Sequence, residues 1–200
     1  MTIALTRLLI ATATTMALAG CTVFPDPPAH QIFQLPEPTA PETTAEPIDS
    51  ILRVSTPLAV APIDSPRILV KPTPHEIRAY QGSRWSNRAP VLVGTYLLEA
   101  FRVDGRVATV VTDTSAVQSD LTLTGDLTRF QAEYKHGKPV IHLELNMQLI
   151  DERSRKPVAS KRFETSQLAG GESIESVVEA FGQASDELAR QVIDWAVAQI

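Results

Sequence analysis

Between residues 141 and 149 the chain reads Ile-His-Leu-Glu-Leu-Asn-Met-Gln-Leu, five apolar positions alternating strictly with four polar ones. Successive side chains of a strand point to opposite faces, so this period predicts a strand with one buried and one wetter face. Upstream, Leu121, Leu123, Gly125 and Leu127 share one phase, and Phe130, Ala132 and Tyr134 take the other. A slip of one residue moves side chains to the wrong face, so a bulge near Thr128-Arg129 is expected to repair it. Lys135-His136-Gly137-Lys138 is the expected hairpin turn, and Asp151 to Lys156 a polar turn into a strand from Val158 to Ser166. Shorter strands are expected at Ile51 to Val60, Arg67 to Val70, Glu76 to Tyr80 and Val107 to Val111. Two stretches carry a helical period instead. Leu92, Tyr96, Leu97 or Leu98, and Phe101 follow Ser86 or Asn87, either of which can cap, with Pro90 in the first turn. Asp104-Gly105 ends that helix. After the Gly170-Gly171 break, Ser173 can cap a final helix to about Ala198, with Ile174, Val177, Phe181, Ala184, Leu188 and Trp195 in its apolar stripe. Two amphipathic helices on one face of a mainly antiparallel sheet make a two-layer α+β sandwich, the fold class expected for residues 51–200.

Before residue 50 the pattern changes. Ten of the 15 prolines lie between Pro25 and Pro66, and Pro36 to Ser50 holds four prolines, four carboxylates and no basic residue. Proline favours extended backbone and like charges repel, so residues 21–50 are expected to form a solvated tether. At about 3.1 Å per residue, 25 such residues would reach roughly 75 Å. His30 to Leu35 is the exception: it is apolar enough for a short strand, with 31–35 expected to join a sheet edge.

The first 20 residues have the parts of a secretory signal: Arg7, a largely apolar run from Leu8 to Leu18, then small residues. The run is too short to span a bilayer, which takes about 20 apolar residues. Leu18-Ala19-Gly20-Cys21 resembles the lipobox of bacterial lipoproteins. That resemblance implies a signal peptidase that recognises Leu18, Ala19 and Gly20 and cuts before Cys21. It also implies diacylglycerol on the Cys21 sulfur and a palmitate-type N-acyl chain, with no other cofactor. Two or three chains hold a protein stably where one gives only reversible binding. Thr22 follows, where lipoproteins retained on the inner membrane often carry Asp, so the periplasmic face of the outer membrane is expected. The mature chain would carry 17 basic and 23 acidic side chains, net −6, a poor match to nucleic acid. With its only cysteine acylated it can form no disulfide, so stability must come from packing.

Taken in order, the lipobox, the acidic linker, Arg67 to Pro72 and Ile77 to Trp85, the capped helix, the strand ladder and the helix near Trp195 resemble one family. This is the ABC-type transport auxiliary lipoproteins, the PqiC-like lipoproteins of MCE lipid-transport systems. Glu76-Ile77-Arg78-Ala79-Tyr80-Gln81-Gly82-Ser83-Arg84-Trp85-Ser86 is the most characteristic piece, and the similarity runs over about residues 31–198. It implies a non-enzymatic adaptor for moving phospholipid or other hydrophobic molecules between membranes. The implied partners are an MCE-domain protein and, through it, an inner-membrane permease and ATPase, with a homo-oligomeric ring as a further implication. A structural lipoprotein that helps a barrel or secretin assemble would use the same anchor and sandwich.

The remaining chemistry is sparse. The histidines at 30, 75, 136 and 142 have no metal-ligand spacing, so no metal site is expected. There is no Gly-x-Ser-x-Gly elbow and no phosphate-cradling glycine loop, which disfavours a lipid-processing enzyme. Asp151-Glu152 sits in a turn rich in Arg and Lys and reads as solvated charge. Arg84, Trp85 and Arg88 carry two readings. Trp and Arg are favoured interface anchors, so they form a candidate partner-binding edge. Alternatively, Trp85 staples the helix start to the core while the arginines stay wet. Trp195 is read as core, with a lipid-facing or oligomer-facing surface as the alternative.

Overall fold

The computed structural model describes residues 30–39 and 46–200. Its elements run β1 (Gln31–Phe33), β2 (Ile48–Val54), β3 (Arg67–Thr73), β4 (Glu76–Trp85) and α1 (Ala89–Asp104). They continue with β5 (Val107–Thr112), β6 (Leu121–Lys135), β7 (Lys138–Asp151), β8 (Lys156–Leu168) and α2 (Ile174–Val197). Strand β6 organises the sheet. One of its edges pairs antiparallel with β7 along its whole length, and β7 pairs antiparallel with β8. The other edge is divided. Leu52 to Val54 of β2 run parallel to Leu121 to Leu123, and Leu69 to Lys71 of β3 run parallel to Gln131 to Glu133. Between them the chain stays on β6: Ser55 N–H donates to Leu123 O at 2.9 Å, and Leu58 N–H to Gly125 O at 2.8 Å. Leu127 N–H then donates to Leu58 O at 2.7 Å before the chain leaves and returns as β3.

Strand β5 lies parallel outside β2, β4 antiparallel outside β3, and β1 parallel outside β4. The eight strands form one curled mixed sheet, so the α+β class holds while the expected mainly antiparallel order does not. The period of two records which face of a strand is buried; it carries no information on the direction of the neighbour. Strand β1 occupies the sheet edge at Gln31–Phe33. Strand β4 runs past the expected end at Tyr80 to Trp85. Gly82, at φ 68°, lies where the register shifts, so that Ala79 to Arg84 face only Leu69 to Arg67.

The expected bulge is present. Leu127 pairs with Leu145 and Arg129 with Glu144, leaving Thr128 as the extra residue. The β6–β7 hairpin closes through His136 and Gly137, both left-handed at φ 51° and 78°, the pairing that a type I′ turn requires. Helix α1 begins differently from expectation. Its N-cap is Arg88, with no side-chain cap, and Ala89 N–H donates instead to Ser65 O at 3.1 Å. Gly105, at φ 72°, ends the helix by donating to Phe101 O. Ser173 caps α2 as expected, its side chain accepting from Ser176 N–H.

Both helices close over the apolar side of the sheet, α2 against β7 and β8 and α1 against α2, β2 and β5, around one continuous core. At its centre, Trp85 of β4, Phe130 of β6 and Phe181 of α2 meet with ring centroids 4.8–5.6 Å apart. Trp195 is half-buried and sits edge-on to Phe163 at 5.4 Å, on the core side of its two readings. Phe181→Ala is expected to cost about 3–5 kcal/mol, since the rings around it cannot collapse into the void. Denaturant unfolding measures this, and a loss below about 1 kcal/mol would contradict the triad's role.

Candidate functional site

The lipidation motif, Leu18, Ala19, Gly20 and Cys21, lies outside the described residues. The structure separates the Arg84, Trp85 and Arg88 cluster. Trp85 is completely buried in the aromatic triad, and its indole Nε1 has no hydrogen-bond acceptor. It is the staple of the second reading and is not a surface anchor, because β4 extends far enough to turn the ring inward. Arg84 and Arg88 remain exposed. Arg84 stands opposite Ile32 of β1, while the Arg88 guanidinium holds both Asp64 oxygens at 2.9 and 3.0 Å.

The polar face of the sheet carries a charge cluster over the bulge. Glu144, only 7% exposed, accepts from Thr128 Oγ1 at 2.7 Å and from Arg162 Nη2 at 2.7 Å, and lies 3.4 Å from Arg129 Nε. Glu164 completes the set, 3.5 Å from Arg129 and 3.3 Å from Arg162. Two carboxylates are thus matched by two guanidiniums, an arrangement suited to holding shape. Arg53 plays a similar part in the β5–β6 loop, where Nη1 donates to the Thr112 and Ser115 carbonyls at 2.7 and 3.1 Å. Among the described residues no three His, Cys, Asp or Glu side chains converge as metal ligands, and no helix is long and apolar enough to cross a membrane.

The helical layer holds what the sequence analysis missed. Arg106 clamps Asp104 through Nε and Nη2 at 2.7 and 3.0 Å and reaches Asp194 of α2 at 2.7 Å, bonds that raise its pKa further. Asp186 accepts from the Tyr96 hydroxyl at 2.6 Å. Burial first, then that bond, pushes the Tyr96 pKa above its ordinary value, so the hydroxyl stays a donor. Residues 34–39 cross between α1 and α2, leaving a groove of about 600 Å³ on one side and one of about 480 Å³ on the other. A glycine inside the buried stripe of α2, Gly182, was the available signal that another segment comes close there.

Residues 33–193 match the model of the family described as ABC-type transport auxiliary lipoprotein component. The chain belongs to that family. Protein XCC0632 from Xanthomonas campestris is 28% identical, with a TM-score of 0.78 over 84% of this chain and 95% of its own. The Chlamydia trachomatis protein CT253, at 6% identity and TM-score 0.54 over 76% of this chain and 98% of its own, shares the fold alone. Protein bll6063 of Bradyrhizobium diazoefficiens is 25% identical over 174 residues, which are 86% of this chain and 47% of that protein. The chain therefore spans about half the length of this curated relative. The family description is of a lipoprotein that serves as an auxiliary component in ABC-type transport.

Hydrogen bonds from Arg190, then Gln191, hold the Glu187 carboxyl below its ordinary pKa of 4.5, and the Ser154 amide does the same for Asp151. A lowered carboxylate pKa stabilises the fold fully above its unfolded value, and that contribution fades as pH falls through the folded value. Both groups are only partly buried and are screened by solvent, so the effect is small. The Tm difference between the natural chain and Glu187→Gln is expected to shrink as pH falls below about 4.5; a pH-independent difference would contradict the assignment.

Proposed function

We propose that this lipoprotein is a non-enzymatic adaptor, anchored through acyl chains on Cys21 to the periplasmic face of the outer membrane. Its partner is an MCE-domain protein and, through it, a permease and ATPase of the inner membrane. Its system moves phospholipid or other hydrophobic molecules between the two membranes. The observation that carries this reading is the family match, which begins at residue 33, a dozen positions after a lipobox cysteine followed by Thr22. The described geometry is consistent with an adaptor. Glu144 and Glu164 are matched by Arg129 and Arg162, and Trp85, Phe130 and Phe181 pack ring against ring, features suited to holding one shape.

Cys21→Ser is expected to leave the protein unacylated and to release it from the membrane fraction or stall it unprocessed. Processing with full membrane retention would count against the anchor. The natural chain, solubilised from membranes in detergent, is expected to carry the MCE-domain protein with it, together with permease and ATPase. Recovery of an outer-membrane barrel or secretin in their place would overturn the transport assignment.

A further inference from the structure

Residues 31–39 are built into the domain by three kinds of contact. First, Gln31, Ile32 and Phe33 pair in parallel with Ser83, Arg84 and Trp85, and Phe33 O accepts from Ser86 N–H at 2.7 Å. Second, Pro36 rests on the bare backbone of Gly182 in α2. A Cβ there would stand 2.6 Å from Pro36 Cγ, so only glycine leaves room. Glycine inside a helix costs about 1 kcal/mol relative to alanine, so its place in the buried stripe has a packing reason. Third, Asp186 stands one turn further along the same helix face. Its Oδ1 accepts from Thr39 N–H at 3.0 Å and from Tyr96 Oη at 2.6 Å, and its Oδ2 accepts from Thr39 Oγ1 at 2.9 Å. Hydrogen bonds to an ionised acceptor are the strong kind. Pro36 and Pro38 bring no N–H groups that the crossing would strand.

We infer that the groove between α1 and α2 is a binding site for the chain's own proline strap, Gln34 to Thr39, and that the strap resets the reach of the anchor. The inference rests on the acyl anchor proposed above. With β1 and the strap docked, the leash that separates lipid from domain ends at His30 instead of Ile48. Nine residues at about 3.1 Å each give at most about 30 Å, against roughly 75 Å for an undocked leash. The domain is therefore held close to the leaflet, with the β1 edge as its point of attachment. Residues 40–45 join the strap to β2 and add nothing to the reach.

The test has two arms. In the full-length Cys21→Ser chain, amide hydrogen exchange reads the strap without the membrane. Thr39 N–H is expected to be protected, and Asp186→Ala or Gly182→Val to speed its exchange by about tenfold or more. The strap-side pair Pro36→Ser with Thr39→Val removes the Pro36 packing on Gly182 and the Thr39 Oγ1 bond to Asp186 without touching either helix, and is expected to speed the exchange in the same direction, by less because the Thr39 N–H bond remains. Peptide-like exchange at Thr39 in the parent chain, or no response to any of these variants, would overturn the strap. In the second arm the acylated chain is placed on a supported phosphatidylethanolamine–phosphatidylglycerol bilayer and its height is read by neutron reflectometry. A Gly-Ser insert between Thr43 and Thr44 is expected to leave the height unchanged, and the same insert between Asp26 and Pro27 to raise it. Equal rises would overturn the inference. Failure of the acylated chain to stay on the bilayer would count against the anchor, and the exchange arm would still decide the strap.

Discussion

Strand β6 has two edges and uses both along its length, and the rest of the architecture follows from that. Its antiparallel edge gives the β6–β7–β8 ladder. Its parallel edge is shared by β2 and β3, which are two pieces of one interrupted path held to β6 by backbone bonds at Ser55 and Leu58. The bulge at Thr128 lies between those pieces, where a local increase in twist is expected to turn one half of the strand against the other. Phe130 follows it and brings the ring on which Trp85 and Phe181 close. Sheet curvature and helix docking thus meet at the same point.

The parts legible in the sequence are those determined by neighbours along the chain. The alternation of Ile141 to Leu149, the phase slip before Phe130, the His136-Gly137 turn and the Ser173 cap are local, and each appears where it was expected. The parts that were illegible depend on distant partners. Parallel pairing of β2 and β3 with β6 leaves the same alternation as antiparallel pairing. Pro36 to Thr39 look solvated by composition, yet they are docked by Asp186, 147 residues away. The start of β2 at Ile48 likewise draws the acidic end of that stretch into the sheet. Trp85 stood between a surface anchor and a core staple while β4 was expected to stop at Tyr80; the strand runs on past Gly82 to Trp85, whose ring is buried.

The same features bear on function. A charge cluster in which each carboxylate has its guanidinium, and a loop whose carbonyls converge on Arg53, stabilise a shape. The family to which the chain belongs supplies the context of an auxiliary part in ABC-type transport. Under the proposed anchor and strap, a domain with a short, docked connection to its lipid would be a positioned element, with a defined height and orientation at the membrane surface. A long free leash would instead let the domain sample a wide volume and leave alignment to its partners.

The proposed anchor requires Cys21 to be the first residue of the mature chain and the point where lipid is attached. Mass spectrometry of the N-terminal peptide, taken from protein extracted from membranes, tests this most directly. The expected result is a peptide that starts at Cys21 and carries a diacylglyceryl thioether and an N-acyl group. A peptide that retains residues 1–20, or starts at Cys21 with a free thiol, would contradict it.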